Sequence, residues 1–447
     1  MADANLKPSV SVTDVKVPSS GDGVQQVNTA SVALAAAVAE QKPKLLSPNM
    51  IKLYAIMGIG YLVSTLNGFD SSLMGSINAM KPYQETFGLN GAGSTTGIIF
   101  IIYNCGQIAS FPSGPAYTVE LAHPAYRGTM AGMYNNFWWL GNILAGWTTY
   151  GTNEHLHDSW AWRTPTIVQA GMPAVVMLLI MFFPESEIVE EYQLCRNDNP
   201  WWDFRELGNT KAARYRLAMV ICMAFFGQWS GNNVVSYFMP EMIKTAGITD
   251  TSTQLLINAI NPIFSMMGAV YGATLLDRLG RRTMMLAGLA GALVFYVMLT
   301  AFTAQTANHP SLSYGTIVSI YLFGICFAWG FTPLQTLYAV ECLENRTRAK
   351  GSGLNYLFLN VAMVVNTYGI SVGMEAIGWK LYLVYIVWIM VEIVVIYFFF
   401  VETAGKTLEE LGEIFEAKNP RKASTKKVKV DLDASGRVVG VDGEMKA

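Results

Sequence analysis

Ten apolar stretches, each of about 20 residues or more, constrain this chain more than anything else in it. They run approximately over 51–75, 95–113, 128–150, 163–184, 213–246, 252–276, 283–304, 314–339, 352–374 and 380–401. A stretch that long and that free of charge is a bilayer-crossing helix. Lipid offers a backbone no hydrogen-bond partners, so each segment must satisfy its own. Composition agrees, with 52% hydrophobic and only 14% charged residues, where soluble domains carry about 25% charged. The expected fold class is therefore an all-α polytopic membrane protein with about 10 transmembrane helices. A net charge of −2 gives no reason to expect a nucleic-acid partner, and the lipid bilayer is the expected surrounding.

Orientation follows from where Lys and Arg fall, because short basic connections stay on the cytoplasmic side. The even-numbered connections carry Arg127; Arg196, Arg205, Lys211, Arg214 and Arg216; Arg278, Arg281 and Arg282; and Arg346, Arg348 and Lys350. The odd-numbered ones carry only Lys81, Arg163, Lys244 and Lys380. Twelve against four puts both termini in the cytoplasm. The expected organisation is a disordered tail over 1–48, a four-span bundle over 49–184, a cytoplasmic loop over 185–212, a six-span bundle over 213–402 and a second tail over 403–447. The first 45 or so residues are polar and lack the apolar run of a cleavable signal. The five cysteines imply no disulfide framework.

One span is unusually polar. Gly227-Gln228-Trp229-Ser230-Gly231-Asn232-Asn233 and the following Val-Val-Ser236-Tyr237-Phe238 combine two glycines that loosen a helix with three carboxamides. Amides at bilayer depth are costly unless they face protein, water or a ligand. They suit an uncharged polyhydroxylated solute, which needs groups that both donate and accept. They also suit plain interhelical hydrogen bonding, and the residues alone leave both readings open.

Charges cluster at the helix ends in two sets. Asp277-Arg278-Leu279-Gly280-Arg281-Arg282 forms a tight turn, and Glu341, Arg346 and Arg348 follow a later span. Glu120 and Arg127 give a first-half counterpart of the second set. Carboxylate–arginine pairs of this kind can clamp cytoplasmic helix ends in one state and release them in another, so all nine are expected in a cytoplasmic gate. Simple positive-inside retention is the alternative. Asp70 lies deep in the first span, where a carboxyl is a functional hypothesis by default; it is read either as a proton carrier or as a structural residue beside Asn67 and Gly68. Glu392 is a second intramembrane carboxyl without an assigned role. Trp160 and Trp162 read as interfacial belt residues, while Trp138 or Trp139 could line a cavity. No phosphate-binding glycine loop occurs, and the four histidines (His123, His155, His157 and His309) show no metal-ligand spacing with the cysteines. No enzyme, cofactor or metal site is expected.

Taken in order, Gly68-Phe69-Asp70, Tyr126-Arg127-Gly128, Pro184-Glu185-Ser186, Gln228 to Tyr237, Asp277 to Arg282 and the stretch Val401 to Glu410 resemble the sugar porter family of the major facilitator superfamily. The last is similar to that family's PETKG-x-x-LEE signature, with Val401 and Ala404 as departures. Gly227 to Asn233, Pro333 to Tyr338 and Met133 to Trp139 look most like its fungal lactose-permease-type or hexose branch. The resemblance implies a sugar transporter working by alternating access, with proton symport carried by Asp70. It places the substrate at Gln228, Asn232, Asn233, Asn360, Asn135, Tyr237, Trp139 and Thr336. It implies a monomer in the plasma membrane with a sugar and a proton as partners. Three departures (Gly227 and Ser265 for amides, Thr336 for a tryptophan) are expected to enlarge the site and so to favour a disaccharide such as lactose over a hexose. A non-transporting sugar sensor and a defective splice isoform are the alternatives.

The family has twelve spans and this chain has ten. The segment from Phe111 to Glu120 joins what resembles the second span directly to the end of the fourth, and a smaller gap follows Ser186. The resemblance puts in the missing fourth span the arginine that pairs with the first-span carboxylate. A sugar porter without it is expected to transport poorly or not at all while keeping residual sugar binding.

Overall fold

The computed structural model describes residues 47–89, 91–109, 127–156, 158–179, 181, 204–306, 308–344, 347–406, 408–425, 427–432 and 438–445. Its helices are α1 (Pro48–Ile77), α2 (Lys81–Phe87), α3 (Ser94–Ala109), α4 (Arg127–His155), α5 (Trp160–Leu179), α6 (Lys211–Trp229), α7 (Asn232–Thr245), α8 (Thr251–Leu279), α9 (Arg281–Gln305), α10 (Leu312–Gly330), α11 (Leu334–Cys342), α12 (Arg348–Ile377) and α13 (Leu381–Phe399). Two short helices, α14 (Leu408–Glu416) and α15 (Pro420–Ser424), and an antiparallel pair, β1 (Lys427–Leu432) and β2 (Val438–Met445), follow. The ten apolar stretches fall on α1, α3, α4, α5, α6 with α7, α8, α9, α10 with α11, α12 and α13. By length and apolar content alone, Met50–Ile77, Thr251–Leu276, Arg281–Gln305, Leu312–Cys342 and Lys350–Phe399 are long enough to cross a membrane.

Local chemistry sets the helix ends. Ser47 Oγ accepts from Met50 N at 3.4 Å, and Pro48 sits in the first turn of α1, where its missing N–H costs nothing. Asp250 caps α8 through Thr253 N at 2.8 Å, and Thr253 Oγ1 also bonds it, which holds its carboxyl below the usual range. Gly280 turns α8 into α9 with φ +84°, a backbone that disfavours any side chain. The start of α9 is then capped from far along the chain. Glu402 accepts from Arg281 N at 2.8 Å and from Arg282 N at 3.0 Å, an anion placed on a helix N-terminus.

Small residues decide which helices touch. A Cβ at Gly68 would lie 1.9 Å from Trp138 O, and one at Gly141 would lie 1.9 Å from Thr65 O, so α1 and α4 meet backbone to backbone. Gly272 does the same for α8 against Trp329 O of α10. The halves meet where α4 packs on α8, α1 on α7 and α3 on α12. The second half holds one continuous core running from Val220 through Met284, Tyr296 and Phe331 to Phe400. The first half holds smaller clusters, one around Phe69, Leu73 and Met80 and another of Met57 and Met130. Along α5, Ile167, Met177 and Leu178 are 62%, 75% and 67% exposed.

The end at which α1 starts is taken as the bottom. At the top, hydrogen bonds stitch the two halves together. Asn258 Nδ2 donates to Ser76 Oγ at 2.9 Å, Ser371 Oγ to Gly93 O at 2.7 Å and Asn153 Nδ2 to Ser252 Oγ at 3.2 Å.

Candidate functional site

Helix α6 ends at Trp229 and α7 begins at Asn232. Between them Gly231 takes φ +84°, and a Cβ there would meet the Tyr296 ring at 2.7 Å. Only glycine suits both demands. The break aims the amides of this stretch into a cavity of about 160 Å3 between the halves. Helices α1, α3, α4, α6, α7, α10, α11 and α12 all line it.

Gln228, Asn232, Asn233, Asn135, Trp139 and Thr336, six of the eight substrate positions expected from the sequence, line this cavity. Asn233 Nδ2 donates to Gln228 Oε1 at 3.2 Å, and Asn232 Nδ2 donates to Gly227 O at 3.0 Å. Asn135 Nδ2 donates across to Thr332 O at 2.7 Å and to Gln335 Oε1 at 3.3 Å. Trp138 and Trp139 both line the wall with their rings edge to face, 4.9 Å between centroids. Among the described residues, no Asp, Glu, Lys, Arg or His lines it. Four of their polar atoms have no partner among the described residues: Trp139 Nε1, Asn232 Oδ1, Ser352 Oγ and Asn355 Oδ1. Unsatisfied buried polar atoms are costly, and a ligand rich in hydroxyls would satisfy them.

The other two expected substrate positions lie off the cavity. Asn360 is fully buried and donates to Tyr356 O at 2.9 Å. On α12 the lining residues are Ser352, Asn355, Tyr356, Leu359 and Met363, one helical face, and residue 360 points about 100° away from 359. Asn355 is the amide that α12 presents instead. Tyr237 is buried above the cavity, its Oη 3.9 Å from Met363 Sδ, and with Phe238 it packs on Phe100. These rings separate the central cavity from an upper pocket lined by Lys81, Glu241 and Lys244.

The expected enlargement of the site is corrected by one side chain. The space at Gly227 is filled by Gln335, whose Nε2 would lie 2.0 Å from a Cβ there. Ser265 is buried away from the cavity against Gly324. Of the three departures, only Thr336 faces the site. Gln335 is visible in the sequence as an amide, but nothing there says that it reaches into α6.

Asp70 does not line the cavity, although its neighbour Ser71 does. Its Oδ1 accepts from Gln169 Nε2 of α5 at 2.8 Å. Nothing in the sequence marks Gln169 as this partner.

The charged set at the bottom is bound within the second half. Arg281 grips Glu341 with two bonds, Nη2 to Oε1 at 2.9 Å and Nε to Oε2 at 3.2 Å, and Thr403 Oγ1 adds a third at 2.6 Å. This fork-to-fork geometry is the strong form of the pair. Arg282 donates to Tyr397 O at 2.7 Å and Arg216 pairs with Glu344 at 3.3 Å. These bonds lock second-half elements to each other. Arg278 is exposed and Arg348 is half-buried at the start of α12. Glu120 and Arg346, and the side chains of Arg127 and Asp277, lie outside the described residues.

Comparison with known proteins adds three findings. The model of a family described as "Sugar (and other) transporter" matches residues 112–188 and 187–415. A probable quinate permease of Aspergillus fumigatus is 22% identical, with 86% of this chain and 91% of the relative covered. That alignment runs over 495 positions, and 86% of 447 residues is about 384, so about 110 positions of the relative have no counterpart in this chain. The fold is similar to solved structures of XylE. The inward-open E. coli xylose transporter gives a TM-score of 0.58 at 16% identity, covering 81% of this chain and 99% of that one. A XylE structure titled as a proton:xylose symporter bound to 6-bromo-6-deoxy-D-glucose gives 0.58 at 18%, with 81% and 99% covered.

Proposed function

The chain belongs to the sugar (and other) transporter family of multi-pass membrane proteins, and from that premise we propose that its cavity binds an uncharged polyhydroxylated solute, a sugar. One observation carries this reading: the lining offers carboxamides, hydroxyls and aromatic rings and, among the described residues, no charged side chain. Amides both donate to and accept from sugar hydroxyls, and Trp138, Trp139 and Tyr356 can cover the C–H faces of a pyranose. The relatives' names make quinate, a polyhydroxylated carboxylate, the second reading. A carboxylate buried in this cavity needs a cationic partner, and the described lining residues supply none. With Gln335 filling the space at Gly227, a hexose and a disaccharide both remain candidates.

Residues 49–184 and 213–402 act as the two bundles, linked by a cytoplasmic loop over 185–212, with both termini in the cytoplasm and the protein a monomer in the plasma membrane. The bottom is then the cytoplasmic end. The top is stitched shut and the cavity lies below the Tyr237–Phe238 plug, so the site faces inward. Proton coupling runs through Asp70, and the Arg281–Glu341 latch belongs to the gate. The Asp70–Gln169 pair supports the coupling role only in part, because a neutral amide replaces a guanidinium.

The test is binding of labelled glucose, xylose, lactose and quinate to the purified chain. One neutral sugar is expected to bind with little salt dependence, and Asn233→Ala is expected to weaken it about tenfold, the loss of roughly one hydrogen bond and its packing. Saturable quinate binding with no sugar binding overturns the reading.

A further inference from the structure

Glu392 lies in the middle of α13, fully buried, and its carboxyl reaches Ser230 in the break between α6 and α7. Ser230 Oγ is 2.7 Å from Glu392 Oε2 and 2.5 Å from Phe226 O. A serine hydroxyl has one proton and cannot donate to both acceptors. Both contacts are satisfied only when Glu392 carries a proton and donates it to Ser230 Oγ, which in turn donates to Phe226 O. A second link joins the same helix to the same break. Tyr385 Oη donates to Asn366 Oδ1 at 2.6 Å, and Asn366 Nδ2 donates to Gln228 O at 2.6 Å. Between these two points the Trp229 ring packs on Trp388 at 5.0 Å. Helix α13 thus holds Gln228, Trp229 and Ser230 in register, and Gln228 lines the cavity.

We propose that Glu392 is a proton-binding site and a positioning residue for the cavity amides. Protonated, it fixes the α6–α7 break as seen. When its proton leaves to solvent, the Ser230 hydroxyl must turn to the carboxylate and release Phe226 O, which loosens the break. The ionisable groups on the elements packed against α13 have partners or positions of their own. Arg281 and Arg216 pair with Glu341 and Glu344, and Arg282 donates to Tyr397 O at the bottom of α13. Tyr215 of α6 donates to Phe399 O, and Tyr296 of α9 packs on Tyr382 and Tyr385 above Glu392. Cys222 is on α6, and Tyr356, Tyr368 and Glu375 are on α12. Among the described residues, none of the cations forms an ion pair with Glu392. That the amides serve a sugar rests on the function proposed above; the test does not use it.

The full chain in lipid nanodiscs is measured without sugar. Infrared difference spectra of wild type against Glu392→Gln are expected to show one protonated carboxyl C=O band at neutral pH that the variant lacks. Hydrogen exchange of amides 227–233, corrected for intrinsic rates, is expected to accelerate about five- to tenfold at alkaline pH in wild type. Glu392→Gln, whose amide can donate to Ser230 Oγ, is expected to stay protected and pH-independent, and Ser230→Ala to lose the pH dependence while keeping the band. Absence of the band, or the same pH dependence in wild type and Glu392→Gln, overturns the proposal. Failure of sugar binding leaves these readouts untouched, and their failure leaves sugar binding untouched.

Discussion

The residue that most changes the reading of the site is Gln335. A glycine at 227 suggests empty space when only α6 is considered, because sequence shows what a position lacks and not which neighbour moves in. The Gln335 side chain crosses from α11 and occupies that volume, with Asn135 of α4 donating to its Oε1. Asn360 fails for a related reason: it has the right residue type one position off the lining face of α12, and a single step on a helix turns a side chain by about 100°. Gly227→Ala is therefore expected to cost about 1–3 kcal/mol through overpacking, read as a lowered thermal midpoint of the purified protein. Gln335→Ala in the same background should restore part of it, giving a coupling energy of about 0.5 kcal/mol or more in the double-mutant cycle. Additive effects of the two substitutions would show that the side chain does not fill the space.

At the scale of elements, the helices were legible because each of their apolar runs is long, and the α6–α7 break was legible because Gly231 interrupts one of them. What the helices pack against was less legible. Sequence marks Gly68 and Gly141 only as small residues, and many small residues in membrane helices contact nothing, as at Gly58 and Gly171. These two instead set the α1–α4 distance: each leaves room for a carbonyl oxygen that an added Cβ would meet at 1.9 Å. Because the atom met is backbone, no rotamer change relieves it. Gly141→Ala is expected to push α1 from α4 and to lower the unfolding midpoint, at a cost of about 1–3 kcal/mol, whereas Gly171→Ala, in open space, should leave it unchanged. Equal melting of the two variants would remove the close approach from the account of the first bundle. The two tryptophans read as belt residues differ in their packing: Trp160 is exposed, while Trp162 is half-buried against Tyr83 and Phe87, a contact between segments far apart in the chain.

For the whole molecule, the question is whether half a mechanism can run. Alternating access needs two bundles that rock as rigid bodies around a central site. The second bundle has a continuous core and a latched bottom. The first has small separate clusters, an exposed α5, and an α3 that packs chiefly on α12 of the opposite half. About 110 positions of a relative have no counterpart in this chain, and the family match starts at residue 112 and is joined at 187–188, the two places where the sequence motifs run into each other with pieces missing. The cavity survives because its amides come chiefly from α6, α7, α11 and α12, which are intact. If Asp70 carries the proton as proposed, coupling is expected to be weak, because Asp70 faces the neutral Gln169, and an amide, unlike a guanidinium, cannot compensate the charge left when the proton departs. The chain reconstituted in liposomes is therefore expected to bind its sugar but to show less than about a tenth of the proton-driven accumulation of a form with the missing helices restored, a loss equivalent to at least about 1.4 kcal/mol of coupling. Gln169→Arg should recover part of the pH-gradient response if the missing cation is the main deficit, and none if the loose first bundle is. Strong uphill uptake by the unmodified chain, abolished by Asp70→Asn, would show that ten helices suffice.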